Sequence, residues 1–313
     1  MLQCSRKLSV FFSIQYNRRD VICFYAKCLS ESLFNQVEPI PKPLRGSWAM
    51  VIGWMPTLSG EQLDWLCREI SDAERSALGG RPPADKRKVI AGIFWGLDNG
   101  AKRKDLPVEF GRKRTVHRWF RKWVEGGVFE SLTQQAGRCV EERGGFKLYE
   151  CLIDGTFAKA KGGGDGIGCT KAGKGVKIMV MVDARGLPVA AGSTSANPHA
   201  SGLVRELFGF MLGAEPPRRL LGDKAYDSDR RAAQLAEQGV EMIAPHRASR
   251  RPENITQDGR PLRRYKRRWT VERTIGWLQH FRRLCIRWER SQAMFQGCLH
   301  LGCSILLLKW VWG

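Results

Sequence analysis

Residues 263–290 read RRYKRRWTVERTIGWLQHFRRLCIRWER and combine a helical apolar repeat with a dense basic surface. The apolar spacing predicts one amphipathic helix from Arg263 to Arg287. Its predicted buried stripe comprises Trp269, Ile275, Trp277, Leu278, Phe281, Leu284 and Ile286. Its charge comes from Arg263, Arg264, Lys266, Arg267, Arg268, Arg273, Arg282 and Arg283. Glu272, an acid amid this charge, either neutralises its neighbours or is a metal-ligating carboxylate beside phosphate-binding arginines. The second interpretation requires partner acids elsewhere.

The whole chain is strongly basic. Its 313 residues include 52 Lys and Arg against 31 Asp and Glu, a formal net charge of +21. Such an excess favours a polyanionic partner, because basic side chains neutralise phosphates and release condensed counterions. Nucleic acid is the polyanion that we expect. A membrane is disfavoured because no apolar run reaches about eighteen residues, and the apolar tail Leu299–Trp312 is interpreted as a core helix.

The cysteines and the N-terminal residues bear on compartment and chain start. Ten cysteines are scattered without a Cys-x-x-Cys pair or zinc-finger spacing, which indicates reduced thiols in a cytosolic protein. The apolar patch Leu8–Ile14 is too short for a signal peptide and has no small-residue cleavage site. Residues 1–49 do not share the pattern of the rest of the chain. We interpret them as an unassigned, non-native extension, with translation starting naturally near Met50.

A group of helices is predicted next. The first, Thr57–Leu78, opens with a capping box at Ser59 and Gln62, and the second spans Asp85–Leu97. Thr115 is predicted to cap a third. The outer face of the third helix carries Arg112, Lys113, Arg114, Arg118, Arg121 and Lys122. Three short helices ending in a basic one are typical of a helix-turn-helix-like DNA-binding domain, with a helical bundle bearing a solvated basic face as the alternative.

The periodicity changes after Gly145. LYECLI, residues 148–153, is predicted to be a buried strand ending at Asp154, and a DARG turn joins a predicted hairpin. The remaining predicted elements are strands Val176–Val182, Leu187–Gly192, Arg219–Gly222 and Glu241–Ala244, and helices Ser201–Met211, Asp229–Gln238 and 293–312. This order predicts an α/β fold with a mixed sheet flanked by helices in residues 146–313, preceded by a helical domain in residues 50–135.

Two acids stand at the predicted ends of apolar strands, Asp154 and Asp223. With Glu272 they could hold two divalent cations about 4 Å apart, the geometry for in-line attack on a phosphodiester. Carboxylate oxygens suit Mg²⁺ or Mn²⁺. Either aspartate alone is more often a turn or cap residue, whereas all three in this order within a basic chain favour a metal site. Asp227 is the runner-up acid, and Asp183 is interpreted as a turn residue.

The segment GCTKAGKG, residues 168–175, nearly fits the phosphate-binding GxxxxGK[ST] pattern. Its last position is Gly175, so the hydroxyl that binds Mg²⁺ is missing. A predicted strand follows it where the motif requires a helix. An ATPase is therefore disfavoured.

These residues resemble the Asp–Asp–Glu (DDE) transposases of bacterial insertion sequences, in the insertion-sequence four and five superfamily, over about residues 57–310. That superfamily carries its third acid in a Tyr-x2-Arg-x3-Glu-x6-Lys signature. Tyr265, Arg268 and Glu272 match it, and Gln279 stands at the Lys position. LIDGTFAKA and GDKAYDS resemble the segments that carry the first and second acids.

The resemblance implies a ribonuclease-H-like catalytic fold in which Asp154, Asp223 and Glu272 bind two Mg²⁺ or Mn²⁺ ions. It implies cleavage at the terminus of an insertion sequence, leaving a 3′-OH that attacks target DNA. The implied partners are double-stranded DNA and further copies of the chain, as a homodimer or larger synaptic complex, at the nucleoid in the bacterial cytoplasm. The expected DNA-binding residues are Tyr265, Arg268, Arg264, Arg267, Gln279, Arg114, Arg118 and Lys122.

Gln279 is the departure from the signature. Loss of the Lys charge is expected to weaken the grip on a terminal DNA phosphate. This departure alone does not indicate an inactive enzyme. The alternative is an inactivated or host-adopted transposase that acts as a DNA-binding protein or nuclease. A regulator that uses only residues 57–132 is a second alternative, and it would bind DNA equally well with and without Mg²⁺.

Overall fold

The structure, a computed structural model, describes residues 58–71, 84–212, 215–251, 253, 255 and 259–312. The interpretation of residues 1–49, the start near Met50 and the end of the first predicted helix lie outside these residues. The described α-helices are α1 Gly60–Glu69, α2 Lys86–Asn99, α3 Lys113–Glu125, α4 Val128–Glu142, α5 Val204–Phe208, α6 Asp229–Ala236, α7 Gly259–Leu262, α8 Trp269–His280, α9 Arg282–Cys285 and α10 Gln292–Trp312. The described strands are β1 Glu150–Ala160, β2 Gly168–Thr170, β3 Gly173–Val182, β4 Pro188–Ser195, β5 Arg219–Leu221, β6 Glu241–Ile243 and β7 Ile286–Arg287.

The first helices begin largely where the sequence predicts. The Ser59 capping box of α1 is confirmed, and Asp85 caps α2 through the backbone N–H groups of its first turn. The third begins two residues before Thr115, so Thr115 lies inside its first turn and the predicted cap is wrong. Helix α4 was not predicted. Gly127, in the left-handed conformation at φ +67°, turns the chain between α3 and α4, and the sequence signal was only that of a helix end.

The described strands form a mixed sheet ordered β2-β3-β1-β5-β6, with β4 also paired to β3 and β7 to β1. β1 lies at the centre, antiparallel to β3 and parallel to β5. It continues six residues beyond its predicted end, because β3 pairs with it along residues 152–159. The predicted hairpin is confirmed by β3 and β4. The GCTKAGKG segment also forms a hairpin, β2 with the start of β3, which agrees with rejecting a phosphate-binding loop.

Helix α10 lies in the core. It packs against α4 and β4, and it is long and apolar enough to cross a membrane by length and composition. Within the fold, however, 78% of its apolar window is buried. The predicted core helix at the C-terminus is therefore confirmed.

The stretch 263–290 is not one helix, which corrects the prediction. A 3₁₀ segment, Arg263–Arg268, precedes α8, and Phe281 leaves the helical conformation before α9 and β7. After α9 the chain becomes extended, because β7 pairs with the end of β1.

Two sets of side chains in this stretch are also placed differently from the prediction. Trp269 and Trp277 are 55% and 41% exposed. The apolar residues of α8 lie on several of its faces, and only the face that carries Val271 packs inward. Arg283 was predicted to lie on the surface but is buried, and its Nε lies 2.6 Å from Glu289 Oε1.

Candidate active site

The strand register brings two aspartates near each other, at the ends of the paired region of β1 and β5. In the parallel pair β1–β5, Leu152 is aligned with Leu221. Asp154 and Asp223 each lie two residues farther along. Because side chains alternate across a strand, the Asp154 carboxylate projects on the face of the aligned leucines, where α8 also packs. Asp223 follows the end of β5 and lies close enough for its charge to raise the pKa of Asp154. Asp154 was predicted at a strand end and lies instead within β1, at the point where β5 stops.

Asp154 is a largely buried carboxylate, with 18% of its side chain exposed. Burial raises its pKa to about 6; the Gly155 N–H, 2.8 Å from Oδ1, and the charge of Arg268 oppose the rise, while the charges of Asp223 and Glu272 add to it. Asp223 and Glu272 are therefore close enough to Asp154 for their charges to disfavour its ionised form.

Asp223 caps the 3₁₀ turn Lys224–Tyr226, and its Oδ1 accepts a hydrogen bond of 2.8 Å from the Ala225 N–H. Tyr226 is buried beside it, and burial, followed by the charges of Asp154 and Asp223, raises the pKa of the phenol. A Cβ at Gly222 would lie 2.6 Å from the Tyr226 ring. Only glycine permits this close packing, which fixes the turn that orients Asp223.

Glu272 stands in the first turn of α8 with 48% of its side chain exposed. Arg268, one turn earlier, bridges it to Asp154. Its Nη1 lies 3.1 Å from Asp154 Oδ2, and its Nη2 lies 2.5 Å from Glu272 Oε1. The Arg268 guanidinium also lies over the Tyr265 ring, 5.5 Å from the centroid. The predicted residues of the Tyr-x2-Arg-x3-Glu signature thus form one contact chain that ends on the first acid.

The donor chemistry fits divalent cations, since three carboxylates supply oxygen ligands, and a cation there would offset the burial and the neighbouring acids that raise the pKa of Asp154. Within the described part of the chain, no three His, Cys, Asp or Glu side chains are arranged to hold a metal ion. The Arg268 guanidinium lies between two of these acids and supplies positive charge there.

Three other residues predicted to bind DNA have contacts within the protein. Arg264 and Arg267 lie 2.8 and 2.9 Å from the two carboxylate oxygens of Glu150, whose side chain is only 3% exposed. The Gln279 amide donates to Thr156 Oγ1 at 2.9 Å. Both contacts tie the 263–280 segment to β1 on either side of Asp154, a structural role that the sequence did not indicate.

The remaining predicted DNA-binding residues lie on α3. Arg114, Arg118 and Lys122 are exposed on its outer face, while Val116 and Phe120 are buried on the inner face. The predicted division of this helix into a basic and an apolar side is confirmed.

A second network, which the sequence pattern did not reveal, holds the turn after Asp223. Asp227 Oδ1 lies 2.9 Å from His246 Nδ1 and 2.6 Å from Arg250 Nη1, and its Oδ2 accepts from the Arg247 N–H at 2.8 Å. Burial acts against ionisation, but these hydrogen bonds and the Arg250 charge lower the pKa of Asp227. The runner-up acid is thus engaged in an ion-pair network. The only sequence signal was its spacing of four residues from Asp223.

Known proteins share both the acid-bearing segments and the helical region before them. A family model described as "Transposase DDE domain" matches residues 145–307, just over half of the chain. The chain belongs to this family of DDE transposases. A second model, for transposases of the IS4/5 family, matches residues 58–133. The resemblance inferred from the acid segments and the Tyr-x2-Arg-x3-Glu signature is confirmed.

Two curated relatives carry transposase names. One, for insertion sequence element IS402 of Burkholderia cepacia, is 38% identical over 146 residues, which are 44% of this chain and 64% of that protein. The other, for element IS6501 of Brucella ovis, is 29% identical over 137 residues, which are 42% of this chain and 98% of that protein. The chain thus spans slightly less than two thirds of the Burkholderia relative.

Solved structures that match part of the chain include transposase complexes. A piggyBac transposase synaptic complex with hairpin DNA matches at 13% identity and TM-score 0.38, covering 50% of this chain and 46% of that one. The Mos1 strand transfer complex matches at 15% identity and TM-score 0.25, covering 74% of this chain and 78% of that one. At these scores the likeness carries no argument about the site.

Proposed function

We propose that this DDE transposase cleaves phosphodiesters at the ends of an insertion sequence and transfers the resulting 3′-OH into target DNA. Asp154, Asp223 and Glu272 are the proposed catalytic acids. The observation that carries the proposal is the contact of Arg268 with both Asp154 and Glu272, beside an Asp223 that follows the end of the neighbouring strand. The strand order around β1 supports a ribonuclease-H-like catalytic fold.

The three acids would bind two Mg²⁺ or Mn²⁺ ions, which would activate the attacking oxygen and neutralise charge on the phosphate. The chain's own residues position these groups. Gly222 and Tyr226 fix the Asp223 turn, and the Glu150 and Thr156 contacts hold α8 against β1. A guanidinium has five N–H donors, so Arg268 can retain its carboxylate contacts and still donate to a DNA phosphate.

DNA binding beyond the site is proposed for α3, whose exposed Arg114, Arg118 and Lys122 would contact the duplex backbone in a helix-turn-helix-like module. Two DNA ends must be processed, so a homodimer or larger synaptic complex is the proposed assembly. Its place would be the nucleoid of the bacterial cytoplasm.

The test is cleavage of a labelled duplex that carries an element end, by the purified full chain with Mg²⁺ or Mn²⁺. Asp154→Asn, Asp223→Asn and Glu272→Gln should each lower the nicking rate by at least about a hundredfold while leaving DNA affinity within about twofold. Chelation of the metal should stop nicking and preserve binding. Glu237→Gln, at an exposed position, is the control and should nick normally.

Two outcomes would contradict the proposal. If any one of the three variants keeps the wild-type nicking rate, that residue is not in the catalytic set. If the unaltered chain binds the element end equally with and without metal and nicks neither strand, the protein is a DNA-binding regulator or an inactivated transposase.

A further inference from the structure

Helix α8 presents a second surface beside its catalytic acid. Trp269, Arg273 and Trp277 recur at four-residue spacing and form a Trp–Arg–Trp stripe on its solvent side. The Arg273 guanidinium lies 4.7 Å from the Trp269 ring centroid and 4.6 Å from that of Trp277, so both rings are held in place. Arg273 is itself anchored, since its Nη2 donates to the Arg185 carbonyl at 2.6 Å. Two exposed tryptophans fixed in this way form a preorganised aromatic surface.

The stripe leads into a cleft of about 780 Å³, here termed the Trp277 cleft. Trp277 and Trp310 supply aromatic surface to its lining, and the Arg185 guanidinium lies over Trp310 at 4.5 Å. Arg282 and Lys309 add positive charge. Asp98 is the acid among the lining residues.

Between the stripe and the catalytic acid, α8 carries no side chain. Gly276 is one turn beyond Glu272, is exposed, and a Cβ there would meet nothing within 4 Å. On a helical projection it lies between the Glu272 face and the Trp277 face. The helix surface is therefore bare where a strand would have to pass from the catalytic acid to the cleft.

We propose that the Trp–Arg–Trp stripe and the Trp277 cleft bind unpaired nucleotides of the DNA end that is held at Glu272. Positive charge suits the phosphates, and aromatic faces suit the bases, which is the combination that binds single-stranded nucleic acid. An intact duplex keeps its base faces stacked, so such a surface meets its backbone and the base edges in its grooves instead. The inference rests on the proposed function only for the position of the DNA end, because binding itself requires no cleavage.

The experiment measures affinity by fluorescence anisotropy, with the full chain in the presence of a chelator. Three labelled probes are used: a blunt duplex, the same duplex with a short unpaired tail, and the tailed duplex in which the tail nucleotides are abasic. The abasic tail keeps the phosphates and removes the stacking faces. We expect the unaltered chain to bind the normal tail about tenfold more tightly than the abasic tail.

Variants then assign this preference to the stripe. Trp277→Ala should reduce the preference for the normal tail to about twofold or less and leave blunt-duplex affinity unchanged, whereas Trp277→Phe should retain most of it. Tyr149→Ala is the matched control, because Tyr149 is also exposed, at 54%, and lies beneath two arginines on another part of the surface. It should leave the preference intact.

Three results would overturn the inference. The first is equal affinity of the unaltered chain for normal and abasic tails, which needs no variant to fold. The second is an equal loss on all probes for Trp277→Ala. The third is a change of oligomeric state in Trp277→Ala with unchanged tail preference, which would assign the surface to a second copy of the chain. Metal-dependent nicking of the blunt duplex tests the proposed function separately, so the two failures are distinguishable.

Discussion

Arg268 donates to two of the three proposed catalytic acids, and this pairing explains why the signature places an arginine one turn before Glu272. At that spacing the two side chains meet on one face of a helix. Strand β1 then brings Asp154 to the same guanidinium. The arginine compensates charge that is unfavourable at Asp154, a carboxylate whose burial raises its pKa.

Gln279 is the residue at which this chain departs from the signature, and its amide contacts Thr156 rather than a free surface. A lysine ammonium can still donate to that hydroxyl or reach a phosphate. We expect Gln279→Lys to keep or raise affinity for the element end and to steepen its salt dependence by about one phosphate contact. Gel-shift titrations across salt concentrations measure both. A large loss of affinity would show that the amide is needed where it is.

At the scale of elements, the position of α8 depends on its attachment to β1. Glu150, buried at the start of β1, pairs with two arginines of the 3₁₀ segment that precedes α8. Two residues after Asp154 in β1, the Thr156 hydroxyl accepts a hydrogen bond from the Gln279 amide. These contacts therefore hold the helix that carries Glu272 against the strand that carries Asp154 on both sides of the Arg268–Asp154 pair.

Loss of the Glu150 ion pairs should lower the free energy of unfolding measurably. A fully buried broken pair costs roughly 3–5 kcal/mol, but Arg264 and Arg267 are partly solvated. We therefore expect Glu150→Gln to lower the free energy of unfolding by about 2 kcal/mol. Urea denaturation measures it, with Glu125→Gln at an exposed pair as control. Equal losses of unfolding free energy for the two substitutions would mean that the Glu150 pairs stabilise the fold no more than an exposed pair does.

Helix glycines give a second prediction at this scale. Gly276 is exposed with open space around its Cβ position, so Gly276→Ala should stabilise the fold by about 0.5–1 kcal/mol. At Gly297, in α10, a Cβ would lie 2.7 Å from Val124, so Gly297→Ala should destabilise by about 1–3 kcal/mol. Thermal and urea unfolding compare the two. The same sign for both would contradict the close packing of α10 on α3 at Gly297.

At the scale of the whole molecule, α10 joins the N-terminal helices to the sheet. It packs against α4 on one side and β4 on another, in a hydrophobic cluster that also includes α8. Polar side chains on this helix are hydrogen-bonded at its half-buried face: Gln296 accepts from Ser193 and donates to His300 Nε2 at 2.7 Å. His300 is thus held as a neutral acceptor.

This burial makes the stability of the fold depend on pH. Burial lowers the pKa of His300 to about 4, below an unfolded value of about 6.5. The unfolded chain therefore binds the extra proton between these values, and stability rises with pH. The contribution of His300 is complete above about pH 6.5 and is lost as pH falls towards 4, a total of about 3 kcal/mol.

The test compares urea unfolding of the unaltered chain and His300→Gln between pH 7 and pH 4. The variant should lose less stability on acidification, by about 3 kcal/mol at the acid end. His280→Gln, at an exposed position of α8, should behave as the unaltered chain does. Parallel pH curves for the unaltered chain and His300→Gln would contradict the burial of this imidazole.

The sequence by itself determined the family, the alternation of helices and strands, and the identity of the candidate acids. These depend on local signals: caps such as Ser59, the hairpin turn, and the fixed spacing of Tyr265, Arg268 and Glu272. Such signals act over one or two turns of chain, so they can be read without the fold.

The tertiary structure decided where those residues point. The sequence stripe assigned Trp269 and Trp277 to the core, but α8 has apolar residues on several sides and only one side can pack on the sheet. It likewise treated Arg283 as a surface charge, although Glu289 neutralises it in the interior. Which face is buried, and which charge finds a partner, depends on residues distant in the chain. Those contacts exist only after β1, β5 and α8 have come together.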